Sequence, residues 1–191
     1  MKGKGAKAPS RPVLQVVAIG AVDPGVLSGV GSRLEDHGFA ARTVEGGKAV
    51  RALVGPGMTR LQALNAIPAL RREGGDFVLG LTDLEVTDGV KPWVYGMGEL
   101  NGRCAVFSTR PFRQGGLSSE AFLDQLSAAV VHELAHNVGI VHCRKRDCLM
   151  HATHEPAAMR QLERKFCESC ERQWLRRIRA SGKAPRSGPP N

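Results

Sequence analysis

Between residues 132 and 142 the chain reads HELAHNVGIVH, which sets histidines at 132, 136 and 142, an acid at 133 and a glycine at 139. On an α-helix, residues four apart are separated by roughly 40° of rotation and about 6 Å of rise, so the imidazoles of His132 and His136 can grip one ion. Glu133 lies one position round, badly placed as a ligand but within reach of a water on that ion. Gly139 lets the helix stop in a left-handed turn that a side chain would oppose, and the chain doubles back to offer His142 as a third nitrogen. Three neutral imidazoles leave a fourth position open, which is the form of a catalytic zinc site rather than a closed structural one. Such a metal lowers the pKa of its water toward about 7 and polarises a carbonyl, while Glu133 takes the water's proton and can pass it to a leaving amine.

Cys143 follows His142 directly, and Cys148, Cys167 and Cys170 complete a C-x4-C, x18, CxxC arrangement. Four thiolates at such spacings make a closed zinc site that contributes folding energy. Because His142 and Cys143 are neighbours, the two metals would lie under about 13 Å apart. One zinc would then brace the turn that aims the other's ligand. Met150 is placed to return beneath the catalytic metal as an apolar floor.

These residues carry a family resemblance. HExxHxxGxxH followed by a methionine turn resembles the metzincin metallopeptidases. The cysteine directly after the third histidine, with C-x4-C-x-M and a downstream CxxC, resembles the archaemetzincins in particular. The resemblance implies a metzincin-like twisted mixed α/β sheet flanked by helices, an active-site helix and a zinc-braced C-terminal subdomain. It implies two zinc ions: one catalytic, on His132, His136 and His142 with Glu133 as general base, and one structural, on Cys143, Cys148, Cys167 and Cys170, with Met150 in the methionine turn. It also implies hydrolysis of a peptide or protein substrate that lies extended against an edge strand above the helix. One departure is that no tyrosine follows Met150, so a tyrosine ligand or oxyanion stabiliser from that stretch is absent; the chain's single tyrosine is Tyr95.

At 191 residues the chain is expected to be one domain, long enough to bury a real core, with no apolar run near the eighteen or so residues that span a bilayer. Val13 to Ile19 reads as a strand rather than a signal peptide, and the cytoplasm is the expected compartment. Four of the five cysteines fall into metal spacing, which persists in reducing surroundings, and Cys104 reads as a core residue. The net charge of +9 sits largely in a basic lead and in the last helix and tail, where Arg176, Arg177, Arg179, Lys183 and Arg186 cluster. Solvated charge is the plainer reading of it, and weak contact with polyanions the other. A monomer is favoured. The expected organisation is a flexible lead over 1–11, one catalytic domain over 12–180 that divides after residue 139 into a sheet part and a four-cysteine part over 140–180, and a flexible tail over 181–191.

The elements that must hold the site follow in order. Val13 to Ile19 suits a buried strand, Pro24 opens a helix with an apolar stripe at Val26, Leu27, Val30 and Leu34, and Ala40 to Val44 is a second strand, giving a βαβ unit. Met58 to Arg72 has helical spacing, with Pro68 set to kink or split it. Phe77 to Leu81 is a third strand. Trp93 to Met97 and Arg103 to Ser108 flank an Asn101-Gly102 turn and read as a hairpin, one strand of which is the candidate edge for substrate. Ser118 or Ser119 caps the site helix, which has an apolar stripe at Leu123, Leu126, Val130, Leu134 and Val138, whereas His132 and His136 fall roughly 180° to 220° round from Leu123. The histidines should therefore face a cleft, with the sheet behind. Pro156 starts a short helix with Met159, Leu162 and Phe166, and Trp174, Leu175 and Ile178 dock a final one. His151 and His154 read as surface polar residues, with a role at substrate as the alternative.

Two other readings share these features. A metal-dependent endoribonuclease of the rRNA-maturation type shares the H-x3-H-x5-H spacing and would suit the basic charge, but it carries glycine where this chain has Glu133 and lacks the four cysteines. A zinc-stabilised binding module with little catalysis would keep the thiolate site and leave the histidine site idle.

Overall fold

The computed structural model describes residues 11–113, 117–152 and 164–181. The lead over 1–10, the tail over 182–191, the helix expected from Pro156 with Met159 and Leu162, and His154 lie outside the described residues.

In β1 (Val13–Ile19), Leu14 and Val16 look one way and Val17 and Ile19 the other, and all four are fully buried. A strand apolar on both faces belongs inside a helix-covered parallel sheet. Accordingly β1 pairs in parallel with β2 (Ala40–Val44) on one side and with β4 (Phe77–Thr82) on the other. β7 (Cys104–Ser108) pairs in parallel with β4, and β6 (Gly96–Gly98) closes the far edge antiparallel to β7, so the order is β2-β1-β4-β7-β6. The mixed sheet is as expected.

α1 (Pro24–Asp36) starts where the Asp23 carboxylate accepts from the Gly25 and Val26 N–H groups, with proline in its first turn. It packs with α5 (Ser119–Asn137), which follows the short α4 (Arg110–Arg113), and with α6 (Glu168–Ser181) on the face carrying Leu14, Val16, Leu79, Leu81, Ala105 and Phe107. α2 (Lys48–Arg51) and α3 (Ala63–Leu70) cover the other face, where Val17, Ile19, Val78, Cys104 and Val106 look. Cys104 is a core residue, as its sequence context suggested.

Four expectations change. Met58 to Arg72 is not one helix: β3 (Arg60–Gln62) pairs in parallel with β5 (Glu85–Thr87), aided by an Arg60–Glu85 ion pair at 3.0 Å, and α3 begins only at Ala63. Leu61 is buried by that pairing while Met58 stays exposed, so two positions of the supposed stripe never share a face. α3 does run through Pro68, and it stops two residues later. The first hairpin strand is shorter than expected, because Val94 makes its own antiparallel bridge to Val86 and leaves β6 to start at Gly96. In α6, Trp174 and Ile178 dock, whereas Leu175 is 43% exposed.

Candidate metal and active site

α5 begins at Ser118, whose hydroxyl accepts from the Ala121 N–H at 3.3 Å. Leu126, Val130 and Leu134 bury against the sheet side as the stripe requires. Val131, Ala128 and Ala135 are buried as well, so the helix is enclosed on more of its circumference than its stripe implied. His132 is itself only 3% exposed, whereas His136 is half-buried and His142 exposed.

The helix ends in a Schellman turn. Gly139 stands at φ +79°, its N–H donates to His136 O at 2.8 Å, and the Ile140 N–H reaches Ala135 O at 2.9 Å. The Asn101 N–H also donates to His136 O, at 3.1 Å, and Arg177 Nη1 to Val138 O at 2.6 Å. The loop between β6 and β7 and the last helix therefore hold this helix end from two sides. Asn137 adds a third tie, since its buried Nδ2 donates to Glu99 O at 2.9 Å and Cys104 O at 3.0 Å.

Past the turn, His142 comes back to the two helical histidines. Ring centroids stand 5.0 Å apart for His132 and His136, 5.3 Å for His132 and His142, and 4.9 Å for His136 and His142. One ring nitrogen from each falls within 4.8 Å of the others. His132 Nδ1 lies 2.8 Å from Leu149 O and His136 Nδ1 2.8 Å from Ile140 O. A carbonyl accepts only, so each Nδ1 carries its proton and each Nε2 presents a lone pair, the arrangement that metal-binding histidines take from their surroundings. Burial pulls His132 down to about 4, so the ring is neutral at pH 7 and ready to donate. The three residues fit a divalent cation in donor type and convergence, and His132 and His136 fit it in tautomer as well.

Glu133 sits beside them. Burial pushes its carboxyl pKa up, opposed by the electrostatic pull of the nearby His136 ring and by the Gly98 N–H, which donates to Glu133 Oε2 at 3.0 Å. A cleft of about 450 Å³ opens over His132, Glu133, His136 and His142, and its far wall runs along Trp93, Tyr95, Gly96 and Met97. The edge strand expected to face the helix is thus β6. Tyr95, the single tyrosine, reaches this wall from the hairpin side instead of from beyond Met150.

The four cysteines form the second cluster. All are free thiols, their Sγ atoms fall within 4.8 Å of one another, and Cys143 Sγ lies 3.9 Å from Cys167 Sγ. The Cys167 N–H points at Cys148 Sγ at 3.3 Å and the Lys145 N–H at Cys143 Sγ at 3.5 Å, donors that favour thiolate. The Cys167 thiol is drawn down to about 7, first by the backbone N–H of Cys170, whereas burial pushes Cys148 and Cys170 up. In the absence of a cation such a group shares protons unevenly; with one it can release them together. The tripeptide Cys148-Leu149-Met150 joins the two clusters. It supplies one thiol, the Leu149 carbonyl at His132, and the Met150 carbonyl that accepts from the Cys143 N–H at 2.7 Å. Met150 itself is fully buried.

The profile of peptidase family M54 matches residues 74–177, more than half of the chain. The chain belongs to this family. An archaemetzincin of Halobacterium salinarum is 32% identical over 111 residues, covering 54% of this chain and 64% of that protein. One from Natronomonas pharaonis is 30% identical over 114 residues, 56% of this chain and 66% of the other. The chain thus spans about half to two thirds of the length of the curated relatives it matches. The crystal structure of an archaemetzincin from Methanopyrus kandleri superposes with a TM-score of 0.75 over 90% of this chain and 98% of that one, at 21% identity. The archaemetzincin resemblance and the mixed α/β fold are therefore borne out.

The M54 match begins at residue 74 and so runs from β4 into α6 but leaves out the first βαβ unit, which the structural likeness extends over. Within the matched part, Gly98, Asn101, Asn137 and Arg177 also bear on the site, in roles beyond those read from the sequence. Three of them act through backbone groups far along the chain, and no local spacing marks such contacts. Asn137, next to His136, was the one with a visible signal: a polar residue on an otherwise buried helix stretch. His151 is half-buried, with Nδ1 at 3.2 Å from Cys143 O.

Proposed function

We propose that this M54 chain is a zinc-dependent metallopeptidase that hydrolyses peptide bonds, with His132, His136 and His142 as the catalytic zinc ligands and Glu133 as the general base. Cys143, Cys148, Cys167 and Cys170 hold a second, structural zinc, so the chain carries two ions, and Gly139 and Met150 support the ligand loop. The observation that carries this reading is the convergence of three imidazole nitrogens within 4.8 Å, two of them with tautomers set by backbone carbonyls, beside a carboxylate on the cleft floor.

A zinc ion held by His132, His136 and His142 would lower the pKa of its water toward about 7 and polarise the scissile carbonyl. Glu133 takes a proton from the attacking water and passes it to the leaving amine. β6 offers outward backbone groups at which an extended peptide can pair. Trp93, at 37% exposure, and Met97 give that wall an apolar surface. Four reduced thiols suit a reducing compartment such as the cytoplasm. No helix among the described residues is long and apolar enough to cross a membrane.

The test is a peptide-library digest with zinc-reconstituted protein, run beside structured RNA and repeated with Glu133→Gln. Loss of a general base costs about 10²- to 10⁴-fold in turnover, and the variant should keep both zinc ions. Unchanged peptide turnover by the variant, or RNA cleavage in place of peptide cleavage, overturns the assignment.

A further inference from the structure

Backbone groups in an antiparallel pair alternate between facing the partner and facing away from it. Beside β6 the inward positions are Tyr95, whose carbonyl accepts from the Ser108 N–H at 2.7 Å, and Glu99, whose N–H reaches Cys104 O at 3.1 Å. Gly96 and Gly98 are therefore the outward positions, on the edge that faces α5. The Gly98 N–H uses this direction to meet Glu133 Oε2 at 3.0 Å, across 35 residues of sequence. A Cβ at 98 would stand 2.6 Å from the Glu133 carbonyl oxygen, so strand and helix can lie this close only where that residue has no side chain.

We propose that Gly98 is a positioning residue for the reaction: its N–H fixes one oxygen of the Glu133 carboxylate and leaves the other to the attacking water, and its missing side chain allows the approach that makes the bond. The claim rests on the peptidase reading for its consequence but not for its geometry. A glutamate side chain is free to rotate about several torsions, and a carboxylate held beforehand in one orientation spares that ordering at the moment of reaction. Glu133 lies on the helix that carries His132 and His136, and Gly98 on the strand that lines the opposite wall of the cleft. The bond therefore sets the base relative to both walls. It also occupies the Gly98 donor, which leaves the Gly96 N–H as the outward donor of β6 open to an extended substrate.

The test has two arms on the full chain. In the first, the Gly98 amide is followed by NMR in parent protein and in Glu133→Ala, with and without zinc. Its proton should lie downfield in the parent, move upfield in the variant, and exchange at least about tenfold faster. In the second, the Gly98 amide is replaced by the ester of glycolic acid, which removes the N–H and adds no bulk. The expected result is a fall in kcat of about ten- to a hundredfold, the size of one hydrogen bond to a charged acceptor, with KM within about twofold and zinc content unchanged. A structural role alone would move KM, melting temperature or zinc content together with kcat. A Gly98 amide indifferent to Glu133→Ala, or an ester variant with parental kcat, overturns the proposal while peptide turnover by the parent still stands. If the parent cleaves no peptide, the peptidase reading fails and the NMR arm decides the clamp by itself.

Discussion

Gly139→Ala tests whether the helix end aims the third histidine. At φ +79° an alanine pays about 1–2 kcal/mol for the left-handed conformation. Its Cβ would also overlap Asn101 Oδ1 and Arg177 Nη1, two atoms that must then shift. Moving Arg177 disturbs its bond to the Val138 carbonyl, and a bond of this charged kind contributes about 1.5–3 kcal/mol. The two effects together come to about 2.5–5 kcal/mol. For a chain of this size each kcal/mol shifts the melting temperature by roughly 2–4 °C, so the midpoint should fall by about 10 °C. Differential scanning calorimetry on the chelated protein reads that shift free of metal linkage. Zinc titration then reads the second effect, because His142 follows the turn by three residues and a displaced turn should weaken the three-histidine site about tenfold or more. Gly139→Asn separates the causes: asparagine accepts the left-handed region more readily but overlaps the same neighbours, so it should recover only the conformational part. A Gly139→Ala protein that melts within about 2 °C of the parent and binds zinc as tightly would refute the idea that this turn holds the ligand loop.

The metal-free protein should lose stability as pH falls from about 6.5 toward 4. His132 is held at about 4 when folded against an ordinary 6.5, so the unfolded chain binds the proton first and roughly 3 kcal/mol, present above 6.5, disappears across that window. Urea midpoints of chelated protein at several pH values check this, and His132→Asn should flatten the profile. Cys170→Ser should cut zinc content from two ions to one and lower the midpoint by several degrees, as measured by metal analysis and calorimetry, because three thiolates no longer close the tetrahedron.

What the sequence made legible and what it hid divide along contact distance. The four-residue step between His132 and His136, the glycine that follows, and the Cys167-x-x-Cys170 pair are local, and local geometry sets the spacing that a metal requires. β1, α1 and β2 were readable for a similar reason: each carries its own period and its own stop signal, and the observed strand Ala40–Val44 and helix from Pro24 follow from them. The Met58 to Arg72 stretch misled because Leu61 answers to Val86, a partner 25 residues away whose pull outweighs helical spacing. The same holds for α5, whose histidine side faces the cleft yet lies under the Leu149 carbonyl of a turn that comes later in the chain.

This division bears on how the site is built. The donors that would contact metal are specified locally, but their orientation is not: His132 takes its tautomer from Leu149 O, His136 from Ile140 O, and Glu133 its rotamer from Gly98 N–H. Each orienting partner is a backbone group, so no side-chain substitution can remove it directly, and each can be displaced only by moving the segment that carries it. Those segments are held in turn by the Cys148 thiol, the Schellman turn at Gly139 and the pairing of β6 with β7. A substitution that loosens any of the three should therefore reach the histidine site without touching a ligand. The size of the effect should track the backbone displacement, not the distance of the mutated residue from the cleft.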